Sequence, residues 1–171
     1  VQSNQFPRAA DLAKKFRAGG LQVLIGGFHV SGMLALSDGI SPEIRELMDL
    51  GVTVVKGEVE ETWGDLLRDA AEDRLRPLYD FLDRKPDIYA QPLPRVESRY
   101  LKRFIISNFG TIDCSRGCPF NCSFCSIINV QGKEMRVRAP ERLVESIREN
   151  YHRNRLYFYF FTDDNFARNR C

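Results

Sequence analysis

Three cysteines in the stretch Cys118-Pro119-Phe120-Asn121-Cys122-Ser123-Phe124-Cys125 carry the clearest chemistry in this chain. Their C-x3-C-x2-C spacing lets three thiolates fold around one soft metal centre, and thiolates suit iron–sulfur or zinc. Three ligands on a four-iron cluster leave one iron open, and an open metal position marks a catalytic site rather than a closed structural one. Cys114 stands close enough to serve as a fourth ligand, so a zinc-stabilised binding module using Cys114, Cys118, Cys122 and Cys125 is the alternative. Otherwise Cys114 reads as a small buried hydrophobe at a strand end. Gly117 and Pro119 bend the loop so that thiolates and backbone N–H groups can converge.

Two further stretches combine residue types that bind ligands. Asp163-Asp164-Asn165-Phe166 follows an apolar run; its carboxylates suit a cationic group, and Asp and Asn are equally good helix N-caps. Gly26-Gly27-Phe28-His29-Val30-Ser31-Gly32 offers glycines that let backbone approach a large flat or phosphorylated group. His29 by type is a satisfied loop histidine rather than a metal ligand. Arg136 and Arg138 could each pair with a carboxylate in bidentate fashion or face solvent. His152, beside Arg153 and Arg155, reads as exposed.

The 171 residues allow one domain or two small ones, and 43% hydrophobic with 28% charged residues is ordinary for a globular protein. A net charge of +2 gives no argument for nucleic acid. No apolar run reaches the length of a membrane span, and no signal peptide opens the chain. Four of five cysteines fall between positions 114 and 125, which fits metal binding in a reducing compartment, and the cytoplasm is the default location. The start at Val1 and the stop at Cys171 suggest a fragment of a longer protein.

The elements that position these residues alternate between helix and strand. Ala9, Leu12, Ala13 and Phe16 form one face of a helix that Pro7 opens and Gly19-Gly20 stop. Leu21 to Ile25 reads as a buried strand, and residues 28 to 40 as a loop. Ser41-Pro42-Glu43 starts a helix with Ile44, Leu47 and Met48 on its apolar face, ended by Gly51. Val52 to Val55 is a strand. Thr62 caps a third helix with Asp65 as its capping-box partner, and Trp63, Leu66, Leu67 and Ala70 make its buried stripe. This order implies parallel strands joined by crossovers, about half of a doubly wound domain over residues 1–75, with only two complete strands. Residues 76–104, rich in proline and arginine, read as an extended connector with a solvated basic face that includes Lys102 and Arg103. The second part, 105–171, starts near Ile105 with a strand into Thr111-Ile112-Asp113-Cys114. Pro140-Glu141 then opens a helix with Leu143, Val144, Ile147 and Tyr151 as apolar positions, and Leu156 to Phe161 reads as a strand buried on both faces. Strand, loop, helix, strand is the opening of an α/β barrel, whose chemistry sits at the C-terminal strand ends. The cysteine loop and the Asp163–Phe166 stretch then land on the same rim.

The cysteine loop resembles that of the radical S-adenosylmethionine enzymes, whose pattern C-x3-C-x-aromatic-C is matched by Phe124. The resemblance implies a [4Fe–4S] cluster held by Cys118, Cys122 and Cys125. The open iron chelates the amino and carboxylate groups of S-adenosylmethionine, and reductive cleavage gives a 5′-deoxyadenosyl radical. It places Asp163, Asp164 and Asn165 where family members bind the methionyl ammonium, although Asp-Asp-Asn departs from the commonest Gly-Gly-Glu form. It further implies an electron donor such as flavodoxin or ferredoxin and a small-molecule substrate. The first part is similar to the latter half of the cobalamin-binding domain found ahead of many such enzymes, through Gly26, Gly27, His29, Gly32 and the Gly57-Glu58-x-Glu60 turn. The D-x-H-x-x-G signature of base-off cobalamin binding is absent from this chain. Methyl transfer, ring rearrangement and sulfur insertion all stay open as outcomes. A transfer-RNA methylthiotransferase would need an N-terminal domain bearing cysteines, and residues 1–110 have none. A ferredoxin would give its cluster four cysteines and lacks so large an α/β frame.

Overall fold

Parallel strands joined by helical crossovers organise the first eighty residues, as the alternating pattern predicts. A computed structural model describes residues 1–95, 97–101 and 108–166. Ile105, Lys102, Arg103 and Cys171 lie outside the described residues. In chain order the elements are α1 (Phe6–Ala18), β1 (Leu24–Ile25), α2 (Phe28–Leu36), α3 (Pro42–Asp49), β2 (Thr53–Gly57), α4 (Trp63–Ala71) and β3 (Leu78–Phe81). They continue as α5 (Ser98–Leu101), β4 (Phe109–Ile112), β5 (Ser115–Arg116), α6 (Ile127–Val130), β6 (Arg136–Val137), α7 (Pro140–Asn154) and β7 (Phe158–Phe161). The chain divides into two compact units: 1–86 with 121–132, and 87–120 with 133–171.

In the first unit β1, β2 and β3 form a parallel sheet in that order. The third strand, β3, lies in the stretch expected to be an extended connector. Pro77 precedes the first strand residue, so the ring removes no ladder hydrogen bond inside β3. The alternation of a strand explains how this sheet is covered on both faces, against the expectation that two strands could not be. Neighbouring Val54 and Val55 point oppositely. Val54 joins Phe6, Ala13, Ile25, Val30, Ile44, Leu47 and Val52 in one cluster, and Val55 joins Leu66, Tyr79 and Phe81 in the other. Burying each such side chain stabilises by about 1.5–3 kcal/mol.

Local signals set most boundaries. Ser41 caps α3, its Oγ accepting from the Ile44 N–H, with Pro42 in the first turn and Gly51 in the left-handed region just beyond. Three expectations fail for physical reasons. The expected loop over residues 28–40 is largely helix α2. This helix is apolar around its circumference, so it shows no stripe, and Gly32 in its middle reads as a breaker. Thr62 precedes α4 without a capping bond; its Oγ1 is buried and unpartnered, while Asp65 pairs with Arg68 at 2.9 Å. Of the expected stripe on α4 only Leu66 is fully buried, and Trp63 and Leu67 are exposed.

In the second unit β4 pairs with β7 in parallel, and β5 with β6 antiparallel. The run from Leu156 to Phe161 is not buried on both faces. Leu156 is buried, but Phe158, Phe160 and Phe161 are exposed. An apolar run guarantees burial only where layers exist to cover it, and among the described residues this sheet has two strands. The apolar positions of α7 are likewise only partly covered, with none fully buried. Among the described residues no helix is long and apolar enough to cross a membrane.

Gly57, at the end of β2, has φ +99°, and a Cβ there would lie 2.6 Å from the Phe81 carbonyl carbon. Gly57→Ala should therefore cost about 1–3 kcal/mol through backbone strain and overpacking. Urea unfolding measures it, and an unchanged midpoint would show that β2 and β3 separate more easily than this contact implies.

Candidate functional site

Parallel pairing of β4 with β7 brings two strand ends to one edge. The register sets Ile112 beside Phe161, and Thr162 continues the ladder by donating its N–H to the Ile112 carbonyl at 3.0 Å. Asp113-Cys114 and Asp163-Asp164-Asn165 therefore leave the sheet together. The Asp163 carboxylate accepts the Cys114 N–H at 3.0 and 3.1 Å through its two oxygens, and the Ser115 hydroxyl at 2.5 Å. Hydrogen bonds to a charged acceptor contribute about 1.5–3 kcal/mol each, so this is the strongest tie at the edge. Asn165 donates its side-chain amide to the Cys118 sulfur at 3.9 Å. These bonds all belong to Asp163 and not to its neighbour Asp164. Although its side chain meets solvent, partial desolvation and then the charge of Asp163 push its carboxyl above the usual range.

Arg138 is buried, which the sequence did not distinguish from solvent exposure. Its backbone N–H donates to the Cys114 carbonyl at 2.9 Å, its Nε to the Asp113 carbonyl at 3.1 Å and its Nη2 to the Asp113 carboxylate at 3.0 Å. Arg116 reaches the same carboxylate at 3.2 Å. Arg138 is thus a brace beneath the start of the cysteine loop, with Nη1 buried and unpartnered. Ser115 is the residue that sequence reasoning missed, and for Arg138 it left pairing and solvent exposure open. The alternation Arg136-Val137-Arg138 is a signal for strand β6, but nothing in it marks which arginine turns inward.

Cys114, Cys118, Cys122 and Cys125 are all free of disulfides. Cys114 and Cys118 belong to the second unit, and Cys122 and Cys125 to the first. Within the loop the Cys125 N–H donates to the Cys122 carbonyl at 3.1 Å, a tight turn that leads into α6. Phe124 is 90% exposed. Among the described residues no three His, Cys, Asp or Glu side chains are assembled as a metal-binding set. The donor set itself, three free thiols on one short loop, fits an iron–sulfur cluster chemically. Cys114 differs: burial, then Asp163 and Asp113, push its thiol up to about 11, against a smaller opposing effect of Arg138.

The glycine stretch sits at the carboxyl end of β1, and its residues have close partners within their own unit. A Cβ on Gly26 would lie 2.9 Å from the Val55 carbonyl oxygen, and one on Gly27 would lie 2.0 Å from the Val1 nitrogen. The Val1 amino group donates to the Gly26 carbonyl at 2.6 Å. His29 lies in the first turn of α2, with Nδ1 3.0 Å from the Ser3 hydroxyl and its ring tilted against Phe6, centroids 4.5 Å apart. Gly32 is buried in α2, where a Cβ would meet only Val130 at 3.8 Å. Gly26 thus serves the β1–β2 approach, and His29 is satisfied locally.

The raised thiol makes a kinetic prediction. At pH 8.5 Cys114 should react with iodoacetamide at least about tenfold more slowly than exposed Cys122 in the metal-free chain. Peptide mass mapping against time reads this, and equal rates would remove the ground for setting Cys114 apart.

No protein-family profile matches the chain. Curated relatives match over nearly all of it. It is 34% identical over 173 aligned residues to the bacteriochlorophyllide d C-8(2)-methyltransferase of Chlorobaculum tepidum, covering 95% of this chain and 36% of that protein. The bacteriochlorophyllide d C-12(1)-methyltransferase of the same organism is 29% identical over 165 residues, 94% of this chain and 33% of the relative. The hopanoid C-2 methylase of Rhodopseudomonas palustris is 26% identical over 117 residues, 67% of this chain and 22% of the relative. The chain thus spans about a third of the length of its bacteriochlorophyllide relatives.

Proposed function

We propose that this chain is part of a radical S-adenosylmethionine methyltransferase acting on a small molecule. Cys118, Cys122 and Cys125 hold three irons of a [4Fe–4S] cluster in this reading. The observation that carries it is the loop itself, three free thiols at C-x3-C-x2-C spacing in a chain whose similarity to named methyltransferases runs along 95% of its length. When bound, such a cluster would supply the electron for reductive cleavage of S-adenosylmethionine. The residues of the chain do the rest. Asp163 holds the end of β7 against the start of the cysteine loop, and Asp164 stands beside it as the acid left to meet a methionyl ammonium. Arg138 and Arg116 neutralise Asp113 under the loop, which keeps excess negative charge away from the thiolates. An electron donor of the flavodoxin or ferredoxin class is the natural partner, and free thiols suit the reducing cytoplasm.

The first unit is proposed as a cobalamin-binding lobe, with the ligand at the carboxyl edge of β1, β2 and β3, where open parallel sheets receive ligands. Gly27, His29 and Gly32 are the proposed contacts there, while Gly26 is tied to β2. A zinc module using Cys114 as a fourth ligand is the alternative reading.

Anaerobic reconstitution with iron and sulfide tests the cluster. Cys118→Ala, Cys122→Ala and Cys125→Ala should each abolish it, and Cys114→Ala should leave iron and sulfide content unchanged. Loss of metal in Cys114→Ala would move the site to a four-cysteine centre.

The longer protein containing this chain should form 5′-deoxyadenosine from S-adenosylmethionine under dithionite and retain cobalamin through gel filtration, read by its visible absorbance. Turnover without retained cobalamin would leave the radical chemistry and remove the cobalamin assignment.

A further inference from the structure

We infer that Asn165 is a positioning residue of the cluster site, whose side-chain amide donates to the Cys118 sulfur and raises the reduction potential of the cluster held there. The inference rests on the cluster reading above and adds a role that the resemblance does not carry, since the resemblance aims this stretch at the methionyl ammonium. Asn165 Nδ2 lies 3.9 Å from Cys118 Sγ, within N–H···S range. The side chain is presented by a segment fixed on both sides. Two residues earlier the Asp163 carboxylate is bound to the Cys114 N–H and the Ser115 hydroxyl. One residue later Phe166 packs on Phe161 with ring centroids 4.7 Å apart. A donor held between two such anchors points at the sulfur without a large ordering cost on cluster binding.

The sign follows from electrostatics. Reduction adds negative charge to the cluster and its thiolates, and an N–H dipole aimed at a ligand sulfur favours the more negative state. Removing the donor therefore makes reduction harder. Asp163 and Phe166 keep the segment in place when only the amide is changed, so the effect is confined to the sulfur.

The test is redox titration of the anaerobically reconstituted chain, followed by electron paramagnetic resonance, with iron and sulfide analysis of each sample. Asn165→Leu keeps the size of the side chain and loses the donor; it should hold wild-type iron and sulfide with a more negative midpoint. Asn165→Asp replaces the donor with a carboxylate and should shift further the same way. Wild-type midpoints in both variants would overturn the inference while leaving the cluster reading intact. So would loss of the cluster from both with the fold retained by circular dichroism, which would make Asn165 a structural requirement rather than a tuning group. If the Leu variant alone fails to load, the Asp variant decides. A wild-type chain that takes up no iron or sulfide sinks the cluster reading and this inference with it.

Discussion

One carboxylate organises the second unit. Asp163, just beyond the end of β7, accepts two donors from the first residues after β4. Strand pairing ends with Ile112 against Phe161 and the Thr162 N–H on the Ile112 carbonyl, and past that point it no longer holds the two segments together. The carboxylate does so by binding the backbone of Cys114 and the hydroxyl of Ser115 at once. Everything at the edge then follows from it: Asn165 comes within reach of Cys118, and Asp113 is turned toward Arg138. Arg138 closes the arrangement from β6 side, bonding both the Asp113 carboxylate and the Cys114 carbonyl. Removing one partner of this pair destabilises the edge, because the largely buried Arg138 or the half-buried Asp113 is left without its countercharge.

The first unit depends on a different constraint, the close approach of neighbouring strands at their carboxyl ends. Gly26 and Gly57 lie where a side chain would meet the backbone of the next strand, Val55 and Phe81 respectively. The same glycines that suggest room for a ligand are thus needed by the sheet itself. The Ser31 hydroxyl, from α2, accepts the Gly57 N–H at 3.0 Å and ties the helix after β1 to the end of β2. A ligand at this edge would meet a surface already held in shape, which favours binding without reorganisation.

Amphipathic helices and short-range signals were legible in the sequence. Ser41-Pro42-Glu43 announces α3 because a hydroxyl cap, a first-turn proline and an early acid act locally. What was illegible depended on surroundings. Helix α2 has no polar face, so its period is hidden; β3 lies among prolines and arginines, so its four residues carry too weak a signal. The exposed β7 phenylalanines show the converse failure, since the run reads as buried whatever layers are present to cover it. For the site, the spacing of the three cysteines marks them in the sequence as candidate ligands. The division of labour between Asp163 and Asp164 was not legible there, because adjacent identical residues differ only in what the fold places next to them. Asp163 faces an amide and a hydroxyl, while Asp164 does not.

Cys114 shows how this edge acts on the thiol nearest to it. A thiolate at Cys114 would sit partly desolvated beside Asp163 and Asp113, and Arg138 offsets only part of that cost, so the proton stays on. The two acids are there for geometric reasons: one pins the strand end, the other anchors Arg138. Their charge is nonetheless felt by the nearest sulfur. The groups that hold the start of the loop in place also suppress ionisation of Cys114, while the chain turns farther along at Cys122 and Cys125.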